Sequence, residues 1–107
     1  MASDTSTHWS VYFVRMRSNR LYCGITTDVE RRFKQHCTGT GAKALKGQGP
    51  LVLAWFHPAG NDRSIASKLE YSLKQISKAQ KEALICGEIA LKEVISQEYY
   101  AQITRAN

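Results

Sequence analysis

Residues 10–36 constrain this chain more than any other stretch. They read S-V-Y-F-V-R-M-R-S-N-R-L-Y-C-G-I-T-T-D-V-E-R-R-F-K-Q-H. Two short apolar and aromatic runs flank the polar segment Arg17-Ser18-Asn19-Arg20. Val11, Phe13 and Leu21 suit strands, and Asn19 suits a turn, so a β-hairpin is expected. The first strand should run from Trp9 to Arg15 and the second from Leu21 to Ile25, with Gly24 ending or breaking it. Thr27 and Glu30 have capping-box spacing, which starts a helix near Asp28 and carries it to about Cys37. On that helix Val29 and Phe33 stand one turn apart and can face a core. Arg32 and His36 stand one turn apart on a neighbouring face. One hairpin and one helix therefore suffice to gather two tyrosines, an arginine and a histidine.

The remaining chain gives weaker signals. Residues 38–50 hold four glycines with Lys43 and Lys46, and read either as a mobile loop that grips phosphate or as a plain connector. A P-loop is excluded, because Gly-Lys-Ser/Thr is missing. Leu51 to Phe56 is a continuous apolar run, expected as a central third strand. Asp62 can cap a second helix from Arg63 to Ser77, whose buried stripe is Ile65, Leu69, Leu73 and Ile76, with Glu70 at its border. Ser77 and Gln80 suggest another capping box, opening a third helix that Gly87 ends. Leu91, Val94, Ile95, Tyr99 and Ile103 repeat at helical spacing and predict a fourth helix over residues 88–103. Residues 1–8 read as a disordered N-terminus, 9–86 as the domain, and 87–107 as a helical segment packed on it.

A length of 107 residues fits one domain with its own core. No apolar run approaches the roughly 20 residues of a membrane span, and the polar N-terminus lacks a signal-peptide core. Three cysteines at unrelated spacings argue against a disulfide framework and a Cys-x-x-Cys zinc site, and suit a reducing, cytoplasmic location. Charge is unevenly placed. Residues 12–50 hold eight basic side chains (Arg15, Arg17, Arg20, Arg31, Arg32, Lys34, Lys43 and Lys46) against Asp28 and Glu30. The rest of the chain is neutral, so the whole net charge of +6 sits in the first half. Such a surface attracts polyanions, nucleic acid above all, by counterion release.

Taken singly, the candidate residues have ordinary readings: two strand tyrosines filling a core, an arginine paired with Asp28, an exposed glutamate, a histidine capping a helix end. Together, Tyr12, Tyr22-x-Gly24, Arg32 and His36 resemble the signature of the GIY-YIG nuclease family. Ser10-Val11-Tyr12 stands at the first tripeptide and Tyr22-Cys23-Gly24 at the second. Glu70 matches the family's metal-binding glutamate, and Gly24-Ile25-Thr26-Thr27-Asp28-Val29-Glu30-Arg31-Arg32 is similar to the small stand-alone members. The likeness spans about residues 10–85.

The resemblance implies an α/β (α+β) fold: a small three-stranded, mostly antiparallel sheet flanked by helices. It implies an endonuclease that hydrolyses DNA phosphodiester bonds with one divalent ion, Mg2+ or Mn2+, in DNA repair or recombination. Glu70 would hold the metal and Arg32 the scissile phosphate, bidentately. One of Tyr12 and Tyr22 would be the general base, with Tyr12 preferred and Tyr22 positioning water or phosphate. A phenol titrating near 10 is a poor base at neutral pH, so Arg32 and the metal would have to lower it. His36 would assist as donor or proton shuttle. Gly24 would permit close approach, and Arg31, Lys34, Lys43 and Lys46 would contact substrate. Ser10 replaces the usual glycine, Cys23 replaces isoleucine, and no asparagine follows Glu70 before Asn107. A nucleic-acid-binding module that no longer cuts is the alternative. A protein-interaction domain using Trp9, Tyr99 and Tyr100 is a third reading. A homodimer or a partner protein would supply targeting.

Overall fold

A computed structural model describes residues 8–104. The elements in chain order are β1 (Ser10–Arg15), β2 (Leu21–Thr26), α1 (Val29–Thr38), β3 (Val52–Pro58), α2 (Arg63–Gln75), α3 (Lys78–Cys86) and α4 (Gln97–Thr104). Short 3-10 turns at Lys43–Leu45 and Leu91–Glu93 punctuate the connections. The sheet order is β2-β1-β3, and both pairings are antiparallel. The expected α+β class, a three-stranded sheet flanked by helices, is what forms.

The hairpin closes at Asn19, which takes φ +74°. Its backbone N–H donates to Met16 O at 2.8 Å, and its side chain accepts from Arg15 at 2.8 Å. Asp28, not Thr27, caps α1: its carboxylate accepts the Arg31 N–H at 3.1 Å, and Glu30 adds negative charge to the first turn. Asp62 caps α2 through Ser64 N–H at 2.8 Å. Ser77 and Gln80 form the reciprocal capping box of α3, which ends at Gly87.

β1 is the central strand, which corrects the placement of the third. The apolar run that suggested a strand covered on both faces belongs to an edge, where Val52 and Phe56 lie exposed. In β1, by contrast, Val11 to Val14 are all buried. Alternation sends Val11 and Phe13 to one face of the sheet and Tyr12 and Val14 to the other. The first face packs on Ala66, Leu69 and Leu73 of α2, with Leu84, Leu91 and Ile103 beyond, and Phe13 stacks on Trp55 at 4.9 Å. The second face packs on Phe33 of α1, with Leu45, Leu51 and Leu53. Arg15 ties the sheet to α3 by two 2.7 Å hydrogen bonds to Glu82, which also pairs with Lys78. Arg15 is therefore engaged with a carboxylate, unlike those basic residues of the first half that have none among the described residues.

Two further expectations change. Residues 88–103 do not form one helix: the chain makes a 3-10 turn at Leu91–Glu93 and restarts at Gln97, where Ser96 Oγ accepts the Tyr99 N–H at 3.1 Å. Trp9, Tyr99 and Tyr100 are half-buried against the core, and the Tyr99 hydroxyl donates to Ile65 O, so only part of each ring is left for a partner surface. Of the segment expected to be disordered, residues 1–8, all but His8 lie outside the described residues, and His8 is exposed with no secondary structure. No helix among the described residues is long and apolar enough to cross a membrane.

Candidate active site on the α1 face of the sheet

β1 places Tyr12 opposite Gly24 of β2. The ring lies flat over that glycine. A Cβ at position 24 would stand 2.6 Å from the Tyr12 hydroxyl and 2.7 Å from Cζ, closer than any side chain tolerates. Glycine at this position is thus a condition for Tyr12 to sit as it does. Tyr22, two residues earlier on β2, packs in the same cluster. α1 then brings His36 beneath both rings: its centroid is 5.8 Å from that of Tyr12 and 5.6 Å from that of Tyr22. The Tyr12 hydroxyl lies 2.8 Å from His36 Nε2 in a buried contact. The other ring nitrogen, Nδ1, accepts the Ala42 backbone N–H at 3.2 Å.

Arg32 is half-buried on the same side of α1, and donates to Gln35 at 3.0 Å. Asp28 pairs with Arg31, at 3.9 Å, and not with Arg32. Arg31 is exposed, as the turn of the helix requires. Burial and the neighbouring Tyr22 push the Tyr12 phenol up to about 12, against the opposing pull of Arg32. Arg32 acts in the expected direction, making the phenol easier to ionise, but in the chain alone desolvation outweighs it. Burial, then Arg32, lowers the basicity of His36.

Glu70 comes from the other side of the sheet, on α2, half-buried and 3.1 Å from Lys74 Nζ. The Cys23 thiol, between Tyr22 and Gly24, is pushed up to about 12 by burial first and by Glu70 second. Glu70 therefore sits beside β2, at the strand that carries Tyr22. Lys74 holds its proton more tightly, chiefly through Glu70. The structure thus clusters Tyr12, Tyr22, Gly24, Arg32 and His36, and places Glu70 across β2 from them. Among the described residues, no three His, Cys, Asp or Glu side chains gather into a metal cage.

The basic candidates Lys34, Lys43 and Lys46 are exposed, and among the described residues no carboxylate pairs with them. The loop that carries the last two is not a free strap. Leu45 is buried in the Tyr12 cluster, and Gln48 O accepts the Arg17 N–H at 2.9 Å. Two participants were missed in the sequence. Lys74 stands four residues after Glu70, a spacing that signals a helix pair but not its place beside a site. Ala42 acts through its backbone, which no residue pattern announces.

The GIY-YIG catalytic domain matches residues 8–83. This chain belongs to the GIY-YIG family. Curated relatives are similar over most of their length. A UPF0213 protein of Vibrio cholerae is 61% identical over 79 residues, 74% of this chain and 78% of that protein. UPF0213 protein YhbQ of Escherichia coli is 51% identical over 90 residues, 84% of this chain and 89% of that protein. Among solved structures, the solution NMR structure of a UPF0213 protein from Bacillus halodurans is 32% identical, covers 84% of this chain and 95% of that chain, and superposes with a TM-score of 0.48. GIY-YIG proteins are generally nucleases, so nucleic acid is the implied substrate. The matched segment contains every clustered residue and Glu70; α4 lies beyond it.

Proposed function

We propose that this chain is a divalent-metal-dependent endonuclease that hydrolyses DNA phosphodiester bonds. The observation that carries the reading is the Tyr12–His36 contact at 2.8 Å, set beside Tyr22 and Arg32 and flanked by the exposed basic residues. A buried polar pair of this kind costs desolvation and adds little to folding, so a chemical role explains it better than a structural one.

Arg32 is positioned to take the scissile phosphate, using a planar guanidinium that fits two phosphate oxygens. Tyr12 receives the proton of the attacking water. Held as a phenol near 12, it first gives its own hydroxyl proton to solvent water, Arg32 stabilises the phenolate left behind, and that phenolate takes the proton of the attacking water. Tyr22, half-exposed beside it, orients the water or the phosphate. Arg31, Lys34, Lys43 and Lys46 bind flanking backbone phosphates.

Glu70 suits a hard divalent ion. It is a lone carboxylate already facing a cation, the Lys74 ammonium, and magnesium commonly rests on one carboxylate with waters and phosphate oxygens. Such an ion, Mg2+ or Mn2+, would supply Lewis acidity and neutralise charge on the phosphate.

The test incubates the purified chain with labelled duplex, single-stranded and branched DNA, with magnesium, manganese or chelator. Metal-dependent cleavage should fall at least about 100-fold in Arg32→Ala and Glu70→Ala, as for loss of a transition-state contact, with folding intact. Cleavage by either variant at the wild-type rate would remove the assigned site. A second reading is favoured by the missing asparagine after Glu70: a module that binds and does not cut. It requires salt-sensitive DNA binding that is equal in wild type and Glu70→Ala and indifferent to metal.

A further inference from the structure

We propose that the glycine loop after α1 is a positioning element for Tyr12: the Ala42 amide holds His36 as its Nε2–H tautomer, so that the ring donates to the Tyr12 oxygen. The tautomer is a property of the resting chain. Only its catalytic consequence rests on the role assigned to Tyr12 above.

A neutral imidazole has one N–H and one lone pair. The Ala42 N–H can only donate, and it points at Nδ1 from 3.2 Å. Nδ1 must therefore present its lone pair, which leaves the ring proton on Nε2. Nε2 lies 2.8 Å from the Tyr12 hydroxyl, so the ring donates and the phenol oxygen accepts. His36 is only 2% exposed, which leaves little room for water to replace Ala42. The loop is built for this approach. A Cβ at Gly41 would stand 2.3 Å from Nδ1 and 2.9 Å from the His36 backbone nitrogen. Thr40 N–H donates back to Gln35 O at 2.9 Å, and Leu45, buried beside Tyr12, fixes the far side. The charged groups and phenols facing the ring are Arg32, Tyr12 and Tyr22. An imidazolium would set a second N–H against Ala42 and a positive charge near Arg32. The lowered basicity of His36 agrees.

The consequence is a direction for the proton. His36 has no free lone pair towards Tyr12, so it does not take the phenol's proton. The hydroxyl must point its own hydrogen away from the ring, and Nε2–H steadies the oxygen as it becomes negative. His36 is a fixed donor, not a shuttle.

The test is a two-bond nitrogen–proton correlation spectrum of the 15N-labelled full chain above the His36 titration, without DNA or metal, with His36 assigned by its absence in His36→Gln. The expected pattern is a protonated Nε2 and a pyridine-like Nδ1. A protonated Nδ1, or an averaged mixture, would overturn the proposal. In Tyr12→Phe the pattern should persist, since the loop sets it; its loss there would show that Tyr12 sets the tautomer and would overturn the loop's role. Gly41→Ala should give averaged nitrogens and move the His36 titration upward towards an ordinary imidazole. Unchanged nitrogens in a folded Gly41→Ala chain would overturn the proposal. Should that variant fail to fold, the wild-type and Tyr12→Phe spectra decide alone. A chain that cuts no DNA leaves all these readouts intact.

Discussion

The two faces of the central strand do different work. Towards α2, β1 presents Val11 and Phe13 to Leu69, Leu73 and Ala66, an apolar layer that gains free energy simply by leaving water. Towards α1, the same strand presents Tyr12, whose hydroxyl is buried against a histidine. Both faces bury apolar side chains, yet only the α1 face also carries a buried polar pair, whose desolvation offsets part of what its packing gains. A single strand can do both because alternation separates the two sets by one residue, and a slip of register would exchange them. The Tyr12 cluster of the candidate site thus sits on one face of the central strand, with the apolar layer on the other.

The sharpest contrast should come from truncating each face. Leu73→Ala is expected to cost about 2–5 kcal/mol in denaturant unfolding, as buried leucines do, while leaving the geometry of Tyr12 untouched. Tyr12→Phe should cost clearly less. An equal loss would mean that the α1 face is as much a structural core as the α2 face.

Next in size is Gly24→Ala. The Tyr12 ring cannot move off the added methyl without breaking its contact with His36, so a loss of about 1–3 kcal/mol is expected, with cleavage falling in parallel. A chain that keeps full stability and full cleavage would show that Tyr12 has slack.

The pH dependence separates the faces further. His36 is less basic in the folded chain, so the unfolded chain takes up the proton first. Its contribution is complete above about 6.5 and is lost as pH falls below that value. The difference between wild type and His36→Gln in urea midpoints should therefore change sign or shrink between pH 7.5 and 5. At the alkaline end Tyr12, raised to about 12, contributes stability present below pH 10 and lost as pH climbs from 10 through 12. Tyr12→Phe should flatten that limb.

The smallest effect should be at the sheet's end. Arg15 and Lys78 hold the Glu82 carboxyl at about 2, so its contribution is present above pH 4.5 and lost as pH falls through about 2. Solvent and salt screen this pair, and Glu82→Gln should change stability by no more than about 1 kcal/mol at neutral pH. It should leave both faces as they are.

Local chemistry was easy to read in the sequence. Asn19 in its turn, Asp62 and Ser77 as caps and Gly87 as a stop depend on residues within a turn of themselves. Strand order was not: whether Leu51 to Phe56 lies at the centre or the edge is settled by which partner β1 accepts, a long-range choice invisible in a run of apolar letters. The break before Gln97 was missed because Leu91, Val94 and Ile95 fit a helical period whether or not the backbone is continuous. In the site, Tyr12, Gly24, Arg32 and His36 were legible through their joint spacing. Their energetics were not, since the upward shift of Tyr12 depends on how deeply the fold buries it. The loop carrying Gly41 was read for its lysines, whereas its amide faces inward.

Trp9 donates to Gly60 O and accepts from the Ala59 N–H, each at 2.8 Å, and Gly60 in turn rests against the backbone of Gln102 and Ile103. Trp9 and Thr104 line the same small cavity. The two extremities of the described chain are therefore neighbours, and a short peptide bridge would join them into a ring. Reopening that ring at the exposed tip between Arg17 and Arg20 would give a circular permutant that gives up the covalent link through the Asn19 turn, keeps the sheet and both packed faces, and makes the β1–β2 pairing distant in sequence. Its refolding rate would reveal whether the hairpin leads assembly or merely follows it, because separating early contacts along the chain slows their formation.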